Sequence, residues 1–136
     1  MWWIYALLSA VFAALTAIFA KIGIKGVDTD LATAIRTVVV LILAWSIAYL
    51  RGGTRTIFEL TKENLIFLTL SGLATGLSWI FYFKALQLGK VSQVAPIDKL
   101  SVALVMIFSV LFLGEVLTPK VLIGSILIIS GTMVMV

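Results

Sequence analysis

The chain has 136 residues, 62% of them hydrophobic and 12% charged, with a formal net charge of +4 and a mean hydropathy of +1.23. A soluble domain of this length cannot hide so much apolar surface, so the chain needs lipid as its solvent. It contains no cysteine and no histidine, which excludes disulfides, thiol chemistry, thiolate or imidazole metal sites and a Ser-His-Asp triad.

The N-terminus carries no Lys or Arg before the apolar stretch, which argues against a cleaved signal peptide. Trp2, Trp3 and Tyr5 read instead as an interfacial belt opening a first span over residues 3–22. Lys21, Lys25 and Asp28 to Asp30 form a short connection. Thr29 or Asp30 is placed to cap a second helix over 31–50. Arg51-Gly52-Gly53-Thr54-Arg55 breaks the apolar pattern and begins the longest loop. Thr61 caps a third span over 64–86, with Glu63 well placed in its first turn. Gly89 and Lys90 turn the chain into a fourth span over 92–113. Thr118 and Pro119 then provide the cap and first residue of a fifth, over 119–136. The fold class expected is all-α integral membrane, five spans in a single domain over 1–136, with short breaks that favour antiparallel neighbours.

Five is odd, so the two chain ends fall on opposite sides of the bilayer. Arg51, Arg55, Lys62 and Lys120 lie on one side, and Lys21, Lys25, Lys84 and Lys90 on the other. This balance gives no positive-inside preference, and it permits insertion in both orientations. Two oppositely inserted copies form the inverted pair that transporters often carry fused in one chain.

Helical spacing collects weakly polar faces. They are Ser9, Ala13, Thr16 and Ala20 in the first span, and Thr33, Arg36, Thr37 and Ala44 in the second. Ser71, Thr75, Ser78 and Tyr82 follow in the third, and Asp98, Ser101 and Ser109 in the fourth. Either these faces line one cavity, or the hydroxyls and small residues simply hold helices together in lipid. Gly72 and Gly76 form a GxxxG, and Gly124 and Gly131 share a face of an otherwise aliphatic fifth span that reads as a packing or dimer helix.

Asp98 and Lys99 lie about two turns inside the fourth span, after Pro96. Each ionised group near a span centre costs roughly 2.5–3.5 kcal/mol on insertion scales. Such residues therefore mark a site or a structural pair. Neighbours on a continuous helix point about 100° apart, which excludes a simple mutual pair. Asp98 is expected to bind a cationic group or a coupling proton, and Lys99 an anionic one. The alternative for both is pairing with Arg36 or Lys84, or snorkelling of Lys99. Pro96 lacks an amide hydrogen and is expected to break the helix and free a carbonyl near Ser92. Arg36 could hold a carboxylate or phosphate bidentately, or snorkel. Trp79 and Tyr82 could stack on a ligand or cation, or merely pack. Lys84, near a helix end, and Lys21, ending the first span, are read as snorkelling, and Glu115 as structural.

Ala20-Lys21 closes the first span and Arg36 opens the second. Trp79-x-x-Tyr82-Phe83-x-Ala85-Leu86 lies in the third, and Ala95-Pro96 in the fourth. Leu113-Gly114-Glu115-x-Leu117 and the Gly124 and Gly131 pair complete the series. In this order and spacing the chain resembles the EamA-like domain of the drug/metabolite transporter superfamily. Members usually have ten spans in two inverted halves, and this chain is similar to one half. The resemblance implies a half-size carrier working as an antiparallel dimer around a cavity lined by the first four helices of each half. Ile97 to Ser101 departs from relatives that are apolar or small after the proline, so substrates of relatives do not transfer.

The expectation is therefore a secondary transporter of a small polar metabolite, run by alternating access in an antiparallel homodimer. Its site residues would be Asp98, Lys99, Arg36, Trp79, Tyr82 and Ser101, with the helix break at Pro96. Its location would be the prokaryotic plasma (inner) membrane. Its partners would be the lipid bilayer and a small-molecule substrate. No cofactor, metal or nucleic acid is expected, and no enzymatic activity. Rival readings are a small multidrug-resistance-like cation exporter, disfavoured because the first span has no carboxylate, a passive channel, and an accessory subunit of a heterodimeric carrier.

Overall fold

The computed structural model describes residues 1–135 and is helical throughout its described spans. The helices are α1 (Trp2–Gly23), α2 (Thr29–Leu50), α3 (Lys62–Leu88), α4 (Val91–Asp98), α5 (Ser101–Leu113) and α6 (Pro119–Val134), with a short 3-10 helix at Gly53–Glu59 between α2 and α3. Among the described residues, four stretches are long and apolar enough to cross a membrane: α1, α2, α3, and α4 with α5 taken together as Val91–Leu113. The 16-residue α6 is a shorter apolar helix. At 1.5 Å per residue it rises about 24 Å, less than the ~30 Å hydrocarbon layer. The expected end of a fifth span at Val136 lies outside the described residues.

Helix ends follow local chemistry. Asp28, not Thr29 or Asp30, caps α2: its carboxylate accepts from the Asp30 and Leu31 amides, each at 3.0 Å. Asp28 keeps extended backbone (φ −61°, ψ 134°), as a cap requires, whereas Thr29 and Asp30 are already helical. The Thr61 hydroxyl accepts from the Asn64 amide at 3.2 Å, and Thr118 accepts from Val121 at 3.4 Å with Pro119 as first helical residue. Gly114 ends α5 in the left-handed region (φ 66°), and the Glu115 amide returns to the Ser109 carbonyl at 3.2 Å. The loop after Arg51 is partly ordered as the 3-10 helix, entered through left-handed Gly52 (φ 75°).

The expected single fourth span is interrupted. α4 stops at Asp98 and α5 starts at Ser101. Across the gap the amides of Lys99, Leu100, Val102 and Ala103 bond to carbonyls three residues back, at 2.9–3.0 Å. The interruption thus falls one turn beyond Pro96, where tighter 3-10 bonding replaces the α ladder. Pro96 itself lies inside α4.

The chain divides into two compact units: Met1–Ile18 with the chain from Leu88 onward, and Phe19–Gln87. In the second unit the buried side chains are Ala20, Ile24, Thr29, Thr33, Phe83 and Leu86, with Phe83 and Leu86 fully enclosed. In the first unit α6 packs on α4 and α5. There the buried polar groups Ser125 and Thr132 donate to the Val121 and Ile128 carbonyls of their own helix. Long apolar side chains such as Phe12, Val39, Phe67 and Ile123 face outward. Such faces are compatible with lipid and not with water.

Candidate functional site

In the unit Phe19–Gln87, Arg36 sits in the second turn of α2, where helix geometry aims it across at α3. Its guanidinium carbon lies 4.9 Å from the centroid of the Trp79 ring and 4.5 Å from that of Phe83. Trp79 and Phe83 are four residues apart on α3 and so share a face. Tyr82 leans on Phe83, ring centroids 5.9 Å apart and tilted by 53°. A cation over aromatic faces gains about 0.5–2 kcal/mol, more as water is excluded. The rings answer the charge but accept no in-plane hydrogen bond from the Nη1 donor. Arg36 is half-buried, and its Nη1 is buried with no hydrogen-bond partner among the described residues. No carboxylate among the described residues pairs with it; the ion pair present is Lys99 with Asp98 in the other unit.

Two side chains fix this face of α3. Lys21, read from sequence as snorkelling, turns inward, and its Nζ donates to the Leu86 carbonyl. The reason is local: the last carbonyls of a helix have no intrahelical partner and sit at the negative end of its dipole. Gln87 Nε2 donates to the Val27 carbonyl at 3.0 Å, tying the same helix end to the α1–α2 connection. In the sequence Phe83 stands out only as part of the Trp79 to Leu86 motif and not as a site residue. Its spacing of four from Trp79 was the available signal.

In the other unit, Lys99 Nζ lies 3.4 Å from Asp98 Oδ2, so the two residues do form a mutual pair. The contrary expectation assumed a continuous helix. Lys99 lies beyond the last residue of α4, and its four-methylene stem reaches back to its neighbour. Both remain accessible, the side chains 57% and 38% exposed for Lys99 and Asp98. Ser101 is exposed as the first residue of α5, and Pro96 is half-buried. The six candidate residues thus divide, with Arg36, Trp79 and Tyr82 in one unit and Asp98, Lys99 and Ser101 in the other.

The polar stripes are satisfied largely within their own helices. Thr33, Thr37 and Thr75 donate to the carbonyls four residues back, at 2.7, 2.8 and 2.8 Å. Hydroxyls bonded in this way tolerate an apolar surrounding without lining a cavity. Two apolar crevices contain none of the candidate residues. One, of about 460 Å³, lies among α2, the 3-10 helix and the start of α3. The other, of about 410 Å³, lies between α5 and α6.

The EamA-like transporter family matches residues 1–136. A curated protein from Sinorhizobium sp., described as an uncharacterized transporter in the cobO 3' region, is 48% identical over 134 residues, covering 98% of this chain and 95% of the relative. No solved structure matches the chain. The family match over the full length and the relative at nearly half identity agree with the apolar helices: the chain belongs to the EamA-like transporter family, as an integral membrane protein.

Proposed function

We propose that the chain is a secondary transporter of a small polar metabolite that works by alternating access as an antiparallel homodimer of five-span protomers. The observation that carries this reading is Arg36: a guanidinium inside an apolar helix, backed by aromatic rings, with a buried donor that nothing among the described residues satisfies. An unsatisfied buried donor costs free energy, and a passing polar ligand recovers it. α6 serves as the fifth span, tolerating its shortness by local thinning of the bilayer or by dimer contact. The balanced Lys/Arg distribution supports opposite insertion of the two copies.

Asp98, Lys99 and Ser101 at the interrupted fourth span act as the coupling element. Discontinuous helices near the midplane present unwound backbone and half-helix ends to ions. Asp98 is ion-paired with Lys99 at rest and exchanges that partner for a proton or cationic group during the cycle.

Purified protein in liposomes, loaded with a mixed pool of small amino acids, organic acids and sugars, is expected to exchange at least one solute saturably. Arg36→Gln should slow that exchange at least tenfold, and Asp98→Asn should abolish its response to a pH gradient. Non-saturating conductance would replace the carrier by a channel. Normal gradient-driven transport by Asp98→Asn would remove Asp98 from the coupling role.

A further inference from the structure

We infer that the ligand of the Arg36 site is a monoanion held by a carboxylate group, an assignment that rests on the transporter reading and narrows it. The first argument is hydrogen bonding. The aromatic rings of Trp79 and Phe83 attract the cation through their π faces, yet they accept no in-plane N–H bond comparable to that of an oxyanion. The buried Nη1 donor therefore calls for an oxygen acceptor brought from outside. A guanidinium presents its donors as a planar fork, which matches the two oxygens of a carboxylate.

The second argument is charge balance. Arg36 has no carboxylate partner among the described residues, so its charge is not compensated by any contacting group. One negative charge neutralises it in a low-dielectric surrounding. A dianionic phosphate would leave a surplus negative charge at each guanidinium it meets, in a surrounding that screens it poorly. A zwitterion or neutral solute would have to reach the same donor through its own carboxylate or carbonyl, and only the former supplies the charge.

The third argument is shape. Trp79 is half-buried beside the guanidinium and Tyr82 is half-buried against Phe83, so the body of the ligand meets aromatic surface once its carboxylate is seated. Flat or apolar bodies gain from that contact, whereas heavily hydrated ones do not.

The test uses full-length protein in nanodiscs built with a tryptophan-free scaffold, with Trp2, Trp3 and Trp45 replaced by Phe, so that Trp79 is the sole tryptophan and is excited selectively at its red edge. Benzoate, its neutral isostere benzamide and inorganic phosphate are titrated against Trp79 emission. Saturable quenching by benzoate is expected, with benzamide and phosphate at least tenfold weaker. Arg36→Gln should weaken benzoate at least tenfold, and Arg36→Lys, which keeps the charge and loses the fork, by an intermediate factor. Equal binding of benzoate and benzamide, tighter binding of phosphate, no saturable benzoate signal, or unchanged benzoate binding in Arg36→Gln each overturns the assignment. Liposomes that exchange only neutral or cationic solutes would refute the carboxylate while leaving the carrier reading standing. Liposomes that exchange nothing would refute the carrier reading itself, whatever benzoate does in nanodiscs.

Discussion

Arg36 and Lys21 are both cations near the same face of α3, and they do opposite things. Lys21 spends its charge on the backbone, closing the end of α3 through the Leu86 carbonyl. Arg36 spends its charge on rings and keeps a donor in reserve. Their substitutions should separate accordingly. Lys21→Met keeps the stem and deletes the charge-assisted bond, which contributes roughly 1.5–3 kcal/mol. It should lower the midpoint of unfolding in detergent while leaving substrate affinity near normal in the molecules that remain folded. Arg36→Lys should do the reverse, with stability nearly unchanged and apparent KM raised by about threefold, less than for Arg36→Gln, because a point charge replaces a planar fork. Thermal unfolding followed by circular dichroism, set beside liposome exchange, distinguishes the two patterns.

At the scale of elements, the interruption between α4 and α5 and the turn into α6 are built differently. The turn is specified by its own residues: left-handed Gly114 ends α5, and Thr118 with Pro119 starts α6. Gly114→Ala forces a Cβ into the left-handed region and should cost about 1–2 kcal/mol, although the space around it is open. Thr118→Ala removes one cap and should cost about 1 kcal/mol. The two sites are close in sequence but share no partner, so the costs should add in the double variant, as read from denaturant titration. The interruption has no such punctuation at Lys99 and Leu100. It is held by 3-10 bonds from 99 to 103, one of them accepted by the Pro96 carbonyl. Pro96→Ala should therefore straighten the segment and slow turnover more than it weakens binding, a kcat effect measurable in the same liposomes.

For the whole molecule, the question is which way the chain inserts. Leaving out Arg36 and Lys99, the eight other Lys and Arg divide four against four in the five-span reading, and the absence of cysteine provides a clean background for labelling. A single cysteine at Thr56, exposed on the 3-10 helix, should react in about half of the molecules when intact cells meet a membrane-impermeant thiol reagent. All-or-none labelling would contradict dual insertion and require an oppositely oriented partner chain instead. Cross-linking between protomers would supply the complementary distance.

The membrane class, the positions of the apolar helices and the caps at Thr61 and Thr118 were legible in the chain alone, because hydropathy and capping act over a few residues at a time. The family was legible for the same reason: its motifs are short and lie in order along the sequence, from Lys21 to Gly131. Tertiary structure alone decided the rest. That Phe83 joins Trp79 beneath Arg36, and that Lys21 bends onto the end of α3, are meetings of residues 43 to 65 positions apart, and periodicity within one helix carries no information about them. The pairing of Asp98 with Lys99 was hidden for a different reason. It depends on where the helix lapses, and a proline marks the neighbourhood of a break while the surrounding hydrogen bonds choose the residue.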